Sequence, residues 1–382
     1  MYSEFVDFVK NIYKIKEGNI PLHAPVFFEN ENKYLKECID TTFVSYVGKF
    51  VSEFENVIKA YTGAKYAVAI VNGTCALHIA LKLNGASQND EVLTQSLTFI
   101  ATSNSISYCD STPVYIDSDI NTLGMSVEKL EEFLEKNTEI RNDGFCYNNI
   151  TKKRIIACVP VHIFGHPCKI DRIVELCSKY NIAVVEDAAE SLGSKYKGKH
   201  TGTFGKAGIL SFNGNKIVTT GGGGMIITDD ENFAVRAKHI TTTAKVPHQW
   251  EFIHDEIGYN YRMTNLNAAV GCAQMENIDF FLENKRQLAG LYKDFFYNSG
   301  IDFFVEKADC YSNYWLNAIL LKNRNERDEF LKFSNQNSIM TRPAWTLMNK
   351  LKMYENCLTT NLENANWLED RIVNIPSSVR VQ

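Results

Sequence analysis

Residues 182–228, IAVVEDAAESLGSKYKGKHTGTFGKAGILSFNGNKIVTTGGGGMIIT, decide the fold. The opening run, 182–185, is continuously apolar, as in a parallel strand buried on both faces. It delivers Glu186 and Asp187 at its carboxyl end, where open α/β sheets hold their ligands. A second apolar run, 207–212, carries Ser211 and stops at a small polar turn. Lys216 follows, then 217–220, four glycines (Gly221, Gly222, Gly223, Gly224) and a third strand-like run at 225–228. The pattern predicts one lysine held between two strands, opposite one carboxylate.

That pairing has a chemical meaning for pyridoxal 5'-phosphate (PLP). A lysine amine forms a Schiff base with the cofactor aldehyde, and an aspartate keeps the pyridine nitrogen protonated so that the ring can accept the electrons of a carbanion. Taken singly, Lys216 also reads as a loop lysine and Asp187 as a strand-end cap. Together, Glu186-Asp187-Ala188-Ala189, Ser211-Phe212-Asn213-Gly214-Asn215-Lys216 and the glycine run resemble the DegT/DnrJ/EryC1/StrS family of sugar aminotransferases, which carry EDAA, S-F-x-x-x-K and a Gly-rich turn. The resemblance implies a fold-type I PLP-dependent α/β transferase, aspartate aminotransferase-like. Its expected form is a mixed, mostly parallel seven-stranded sheet flanked by helices, with a smaller C-terminal α+β domain. The expected division is an N-terminal arm with helices at 1–40, a large PLP-binding domain at 41–255 and a small domain at 256–382.

Further motifs lie on either side of that stretch. A strand at 67–71 leads to Asn72-Gly73-Thr74-Cys75, which opens a helix; free N–H groups and the helix dipole suit a phosphate there, and Gly73 lets the backbone come close. The segment is similar to the family's S/N-G-T-x-A-L phosphate cradle, which implies phosphate contacts from Thr74 and Cys75. A plain N-cap by Asn72 or Thr74 is the other reading. Thr98-Phe99 opens the next helix, and the resemblance implies that Phe99 lies flat on the pyridine ring; a core phenylalanine is the alternative. Strands are expected at 91–94, 112–117 and 154–161, with an exposed loop insertion at 137–153. By the same resemblance Ala189 backs the ring and Glu190 falls near the ring hydroxyl, where a carboxylate needs a proton or a donor. Lys49 is read as a pyrophosphate contact or a solvated lysine, and His162 as a wall of the sugar pocket or a structural histidine. Gly258-Tyr259-Asn260-Tyr261-Arg262-Met263 resembles the family's G-x-N-Y-R-M signature, which implies that Asn260 reaches the neighbouring subunit's cofactor phosphate and that a homodimer shares its sites. A long helix is expected at 266–282.

Composition excludes other classes. The chain has 382 residues, 45% hydrophobic content and a net charge of −5, with no basic run to attract nucleic acid. Its 10 cysteines show neither CxxC pairs nor His/Cys ligand spacing, so no metal site is expected. No signal-peptide block or membrane-length apolar segment is present, which points to the cytoplasm. No G-x-G-x-x-G, P-loop or G-x-S-x-G pattern supports a dinucleotide enzyme, an NTPase or a serine hydrolase.

The small domain is expected to hold a strand at 314–321 and a helix at 327–334. There, Thr341-Arg342-Pro343-Ala344-Trp345-Thr346-Leu347-Met348 places Arg342 either at a substrate anion or on the surface. That segment, with Thr241-Thr242-Thr243-Ala244-Lys245-Val246-Pro247-His248 and His254-Asp255-Glu256-Ile257-Gly258, resembles the LegC group. The resemblance implies amination at C4 of a nucleotide-linked 4-keto-6-deoxy-N-acetylhexosamine, with L-glutamate as donor and pyridoxamine 5'-phosphate formed between the half-reactions. Amination of a GDP-linked 4-keto-6-deoxyhexose, as in perosamine synthesis, is the alternative, and a non-catalytic homologue of the same fold is another.

Overall fold

The computed structural model describes residues 1–15 and 17–381. Seven strands form its centre: β1 (Tyr66–Ile70), β2 (Asp90–Gln95), β3 (Thr112–Ile116), β4 (Arg154–Val159), β5 (Ala183–Asp187), β6 (Ala207–Ser211) and β7 (Gly224–Thr228). Their spatial order is β1-β7-β6-β5-β4-β2-β3. The pairs from β6 through β3 are parallel, whereas β7 runs antiparallel to both of its neighbours. Parallel neighbours need crossover helices. The return from β6 to β7 has none, so β7 comes back antiparallel.

Helices cover both faces because the strands are apolar on both. Along β7, Met225 and Ile227 pack with Phe54, Ile58 and Ala269 on one side, and Ile226 packs with Leu77, Ala80 and Ala237 on the other. On the β3 side, helices Val127–Asn137 and Ile170–Lys179 supply Leu130, Phe133, Ile173 and Leu176 to a further cluster with Leu93 and Val114. A smaller unit holds an antiparallel sheet of Asp302–Phe303, Asn317–Leu320, Arg342–Pro343 and Ile372–Ile375, with helix Arg324–Gln336. This is the mixed, mostly parallel sheet with a smaller α+β unit that the sequence predicts.

Three local expectations change. The segment expected to be a loop at 137–153 contains a hairpin, Thr138–Ile140 with Cys146–Asn148, which pairs with β4 and brings the sheet to nine strands. Asn148 anchors it, its buried Nδ2 donating to Glu91 Oε2 at 2.8 Å. The expected helix at 266–282 is two, Asn265–Met275 and Ile278–Phe296. Asn277 interrupts the ladder at φ −112°, with its side chain turned back to donate to the Ala273 carbonyl at 3.2 Å. The strand expected from 314 begins only at Asn317, after Tyr314 has taken φ 47°.

Packing also bears on the division expected at 255/256. Met263, Ala268, Met275 and Phe281 share one cluster with Phe50 and Phe212 of the large unit. At the other end, helix Tyr2–Tyr13 buries Phe5 and Val9 in the small unit, against Leu288, Phe330 and Ile375.

One buried ion pair ties the free edge of β1 to the segment that holds Asn260. Glu55 Oε1 accepts from Arg262 Nη2 at 2.7 Å and from the Ala69 N–H at 2.9 Å, and the Val71 N–H donates to the Tyr261 carbonyl at 2.8 Å. Removing one member of such a pair leaves a buried charge without its partner. Arg262→Met should therefore lower the unfolding free energy by about 3 kcal/mol. The measurement is the urea midpoint, and an unchanged value would show that the pair contributes nothing.

Candidate active site

The carboxyl ends of β5 and β6 and the start of helix Gly73–Leu83 converge on a cavity of about 330 Å³. Gly73, Thr74, Phe99, Asp187, Ala189, Glu190, Ser211 and Lys216, all expected from the sequence, line it. Asp187 is the last residue of β5 and is fixed from two directions. Its Oδ2 accepts from Thr102 Oγ1 at 2.8 Å, and its Oδ1 accepts from the Ala189 N–H at 3.1 Å. The neighbouring Glu186 points the other way and accepts backbone N–H groups from Gly202, Phe204 and Gly205 at 2.6–2.7 Å. Alternation along one strand thus separates a structural carboxylate from one that faces the cavity.

Ser211, the last residue of β6, stands in register with Gly224. A Cβ at Gly224 would lie 2.4 Å from the Asn72 carbonyl carbon and 2.6 Å from the Gly73 nitrogen, so only glycine admits this approach. A Cβ at Gly73 would meet Ser211 Oγ at 3.4 Å. Asn72 caps the helix, its Oδ1 accepting the Cys75 N–H at 2.7 Å. The Cys75 N–H is thus engaged by Asn72, and Cys75 is not among the residues that line the cavity. The Gly73 and Thr74 amides, at the positive end of the helix dipole, and Ser211 Oγ form the cradle that remains for a phosphate.

Lys216 projects from the loop between β6 and β7. Its Nζ lies 3.6 Å from Glu190 Oε1 and 3.8 Å from the centroid of the Trp315 ring. Glu190 is buried, and burial pushes its carboxyl up to about 7, with Lys216 pulling against that shift and Asp187 adding to it. Its Oε2 accepts the Phe164 N–H at 2.8 Å, one of the donors that a carboxylate in this position needs. Phe99, at the N-terminus of helix Ile100–Ser107, leaves 51% of its surface exposed at the cavity, and its ring centroid is 6.2 Å from that of Trp345.

Besides Cys75, four expected residues lie outside this cavity. His162 is fully buried, with Nε2 3.1 Å from Glu186 Oε2 and Nδ1 accepting the Cys168 N–H at 3.3 Å. Lys49 pairs with Glu37 at 2.5 Å on the surface. Arg342 is exposed and donates to Asn335 Oδ1 at 3.0 Å and to the Thr341 carbonyl at 2.9 Å. Asn260 is exposed, in a backbone bridge with Thr242. Thr102, Trp315 and Trp345 line the cavity without having been singled out in the sequence. Thr102 was legible, since it follows Phe99 by three residues on one helix face. The tryptophans arrive from the small unit with no local signal.

The donor set suits PLP. One cavity carries a helix start and a hydroxyl for a phosphate, at Gly73, Thr74 and Ser211, a carboxylate at Asp187 and an amine at Lys216, the groups that this cofactor requires. Fold and site together define a fold-type I PLP enzyme. The chain belongs to the DegT/DnrJ/EryC1/StrS aminotransferase family, whose family model matches residues 26–382. It is 39% identical to the GDP-perosamine synthase of Escherichia coli O157:H7, over 94% of this chain and 93% of that protein. It is 35% identical to the GDP-perosamine synthase of Caulobacter vibrioides, over 91% of this chain and 90% of that one. Its fold matches the PLP form of the sugar aminotransferase Spr1654 from Streptococcus pneumoniae, with a TM-score of 0.84 and 21% identity over 95% of each chain. The protein is thus a PLP-dependent sugar aminotransferase. No helix among the described residues is long and apolar enough to cross a membrane.

The raised Glu190 carboxyl makes stability depend on pH. Unfolding returns it toward 4.5 from about 7, so between these values the folded chain holds the proton and the unfolded chain releases it. Stability from this group is full at the acid end and falls as pH rises through that window. In the cofactor-free chain, Glu190→Gln should gain about 2 kcal/mol on wild type from the acid to the neutral end. Urea unfolding at both ends checks this; parallel curves would exclude the shift.

Proposed function

We propose that the enzyme transfers an amino group from L-glutamate to C4 of a nucleotide-linked 4-keto-6-deoxy-N-acetylhexosamine, acting in the cytoplasm as a homodimer with shared sites. The observation that carries the chemistry is the cavity with Lys216 and Asp187 on its walls and a helix N-terminus at its end. The sugar reading is supported by the LegC-like segment at 341–348, since its Trp345 lines that cavity. The perosamine synthases at 39% and 35% identity favour the second reading, a GDP-linked 4-keto-6-deoxyhexose.

Bound PLP supplies an electron-withdrawing ring that lets a proton leave the amino-bearing carbon. Lys216 would hold the cofactor covalently through Nζ, and the same amine, when free, would carry that proton. Asp187, fixed by Thr102 and Ala189, would hold a proton on the ring nitrogen. Phe99 and Ala189 would confine the ring, Glu190 would serve its hydroxyl, and Gly73, Thr74, Ser211 and the second subunit's copy of Asn260 would bind the phosphate. Asn260 lies outside its own chain's cavity, which suits a role in trans.

Lys216→Ala should lose the borohydride-reducible cofactor link and lower turnover by at least about 10³-fold; retained activity would overturn this assignment. With L-glutamate as donor, kcat/KM for the UDP- or GDP-linked N-acetylhexosamine should exceed that for the GDP-linked hexose by at least about tenfold, and the reverse order would establish the perosamine-type reading. Mixed dimers test the shared site. Co-expressed Lys216→Ala and Asn260→Ala chains should form one intact site per heterodimer and recover activity that neither homodimer has, and no recovery would mean that Asn260 does not act in trans.

A further inference from the structure

The Lys216 amine does not rest in open space. It sits against the face of Trp315, which the small unit delivers and fixes in place. Trp315 Nε1–H donates to the Asn215 carbonyl at 2.6 Å, one residue before the lysine. Its backbone N–H donates to Asn313 Oδ1 at 2.7 Å, and its carbonyl accepts from Lys285 Nζ at 3.1 Å. Lys285 is wholly buried, also donates to the Ser377 carbonyl at 2.5 Å, and is pulled down to about 7 by burial. Asn313 Nδ2 donates to the carbonyls of Glu190 and Leu192, both at 2.9 Å. A single turn of the small unit therefore grips the loop that bears Lys216 and the loop that bears Glu190.

We propose that Trp315 is a positioning residue for Lys216: the indole face stations the free amine beside Glu190 as an ammonium and sets how readily it releases its proton. An aromatic face attracts a cation, so the ring favours the protonated amine. The titratable groups around that amine are Glu190 beside it, Asp187 across the cavity, buried His23 of the N-terminal segment and Lys285 of helix Ile278–Phe296. Unlike these, the indole does not titrate, so its own state is the same at every pH. In the half-reaction that leaves the amine free, the ring holds the ammonium beside Glu190 until its proton is passed on. The inference rests on Lys216 being the lysine that carries the cofactor.

The amine's titration is measurable without turnover. Trace acetylation of the cofactor-free full-length chain by acetic anhydride, followed across neutral and alkaline pH and read at Lys216 by peptide mass spectrometry, reports where the amine loses its proton. Trp315→Leu should lower its proton affinity about fivefold, and Trp315→Phe, which keeps an aromatic face, should stay within about twofold of wild type. Greater access alone raises labelling at every pH without moving the midpoint. An unmoved midpoint in the leucine variant, or a phenylalanine variant that titrates like it, overturns the proposal. If the leucine variant does not fold, wild-type sequence grown with fluorinated tryptophan, whose ring face is less electron-rich, replaces it; a lowered midpoint supports the proposal and an unmoved one overturns it. Borohydride reduction of the PLP-loaded wild type that traps the cofactor on a different lysine would instead overturn the assignment of Lys216 itself, so the two failures are distinguishable.

Discussion

Two backbones meet where Gly224 lies against the Asn72–Gly73 peptide, closer than any side chain would permit. Much of the site depends on that approach. Because β7 begins there, it fits between β1 and β6, and the chain leaving β6 must turn back over the carboxyl ends of the sheet. The turn puts Lys216 in the same cavity as Asp187 and leaves Ser211 beside the start of helix Gly73–Leu83. One steric constraint thereby brings the segment of Asp187, Ser211 and Lys216 to the helix start at Gly73 and Thr74, more than a hundred residues earlier in sequence.

Two carboxylates on the walls of the same cavity are treated differently. Asp187 receives a hydroxyl and a backbone N–H, while Glu190 has one backbone N–H and a lysine amine at 3.6 Å. Burial lifts the Glu190 carboxyl toward neutrality. Burial thereby gives the site a carboxyl, Glu190, that exchanges its proton near pH 7.

The large unit was legible in the sequence because its signals are local. Apolar runs ending in Asp187 and Ser211 announce buried strands, and Asn72-Gly73-Thr74 announces a capped helix start at which a backbone passes closely. What local pattern cannot show is which distant side chain completes a wall. Trp315 and Trp345 belong to short strand ends and turns of the small unit, and only tertiary packing brings them to Lys216 and Phe99. The hairpin at 138–148 was hidden for a related reason, since its strands span three residues each and are held by Asn148 bonding to β2 rather than by an apolar alternation. The break at Asn277 depended on a side chain competing with the backbone, which apolar periodicity does not register.

Helix Tyr2–Tyr13 buries Phe5 and Val9 against Phe330, Val373 and Ile375, near the other end of the described chain. During translation this amphipathic helix leaves the ribosome long before its packing partners have been made. Its apolar stripe stays uncovered while the whole central sheet is synthesised, which makes the nascent chain a natural client for chaperones. A helix made before the central sheet is thus among the last elements to dock, and the small unit closes only once strand Ile372–Ile375 has been made.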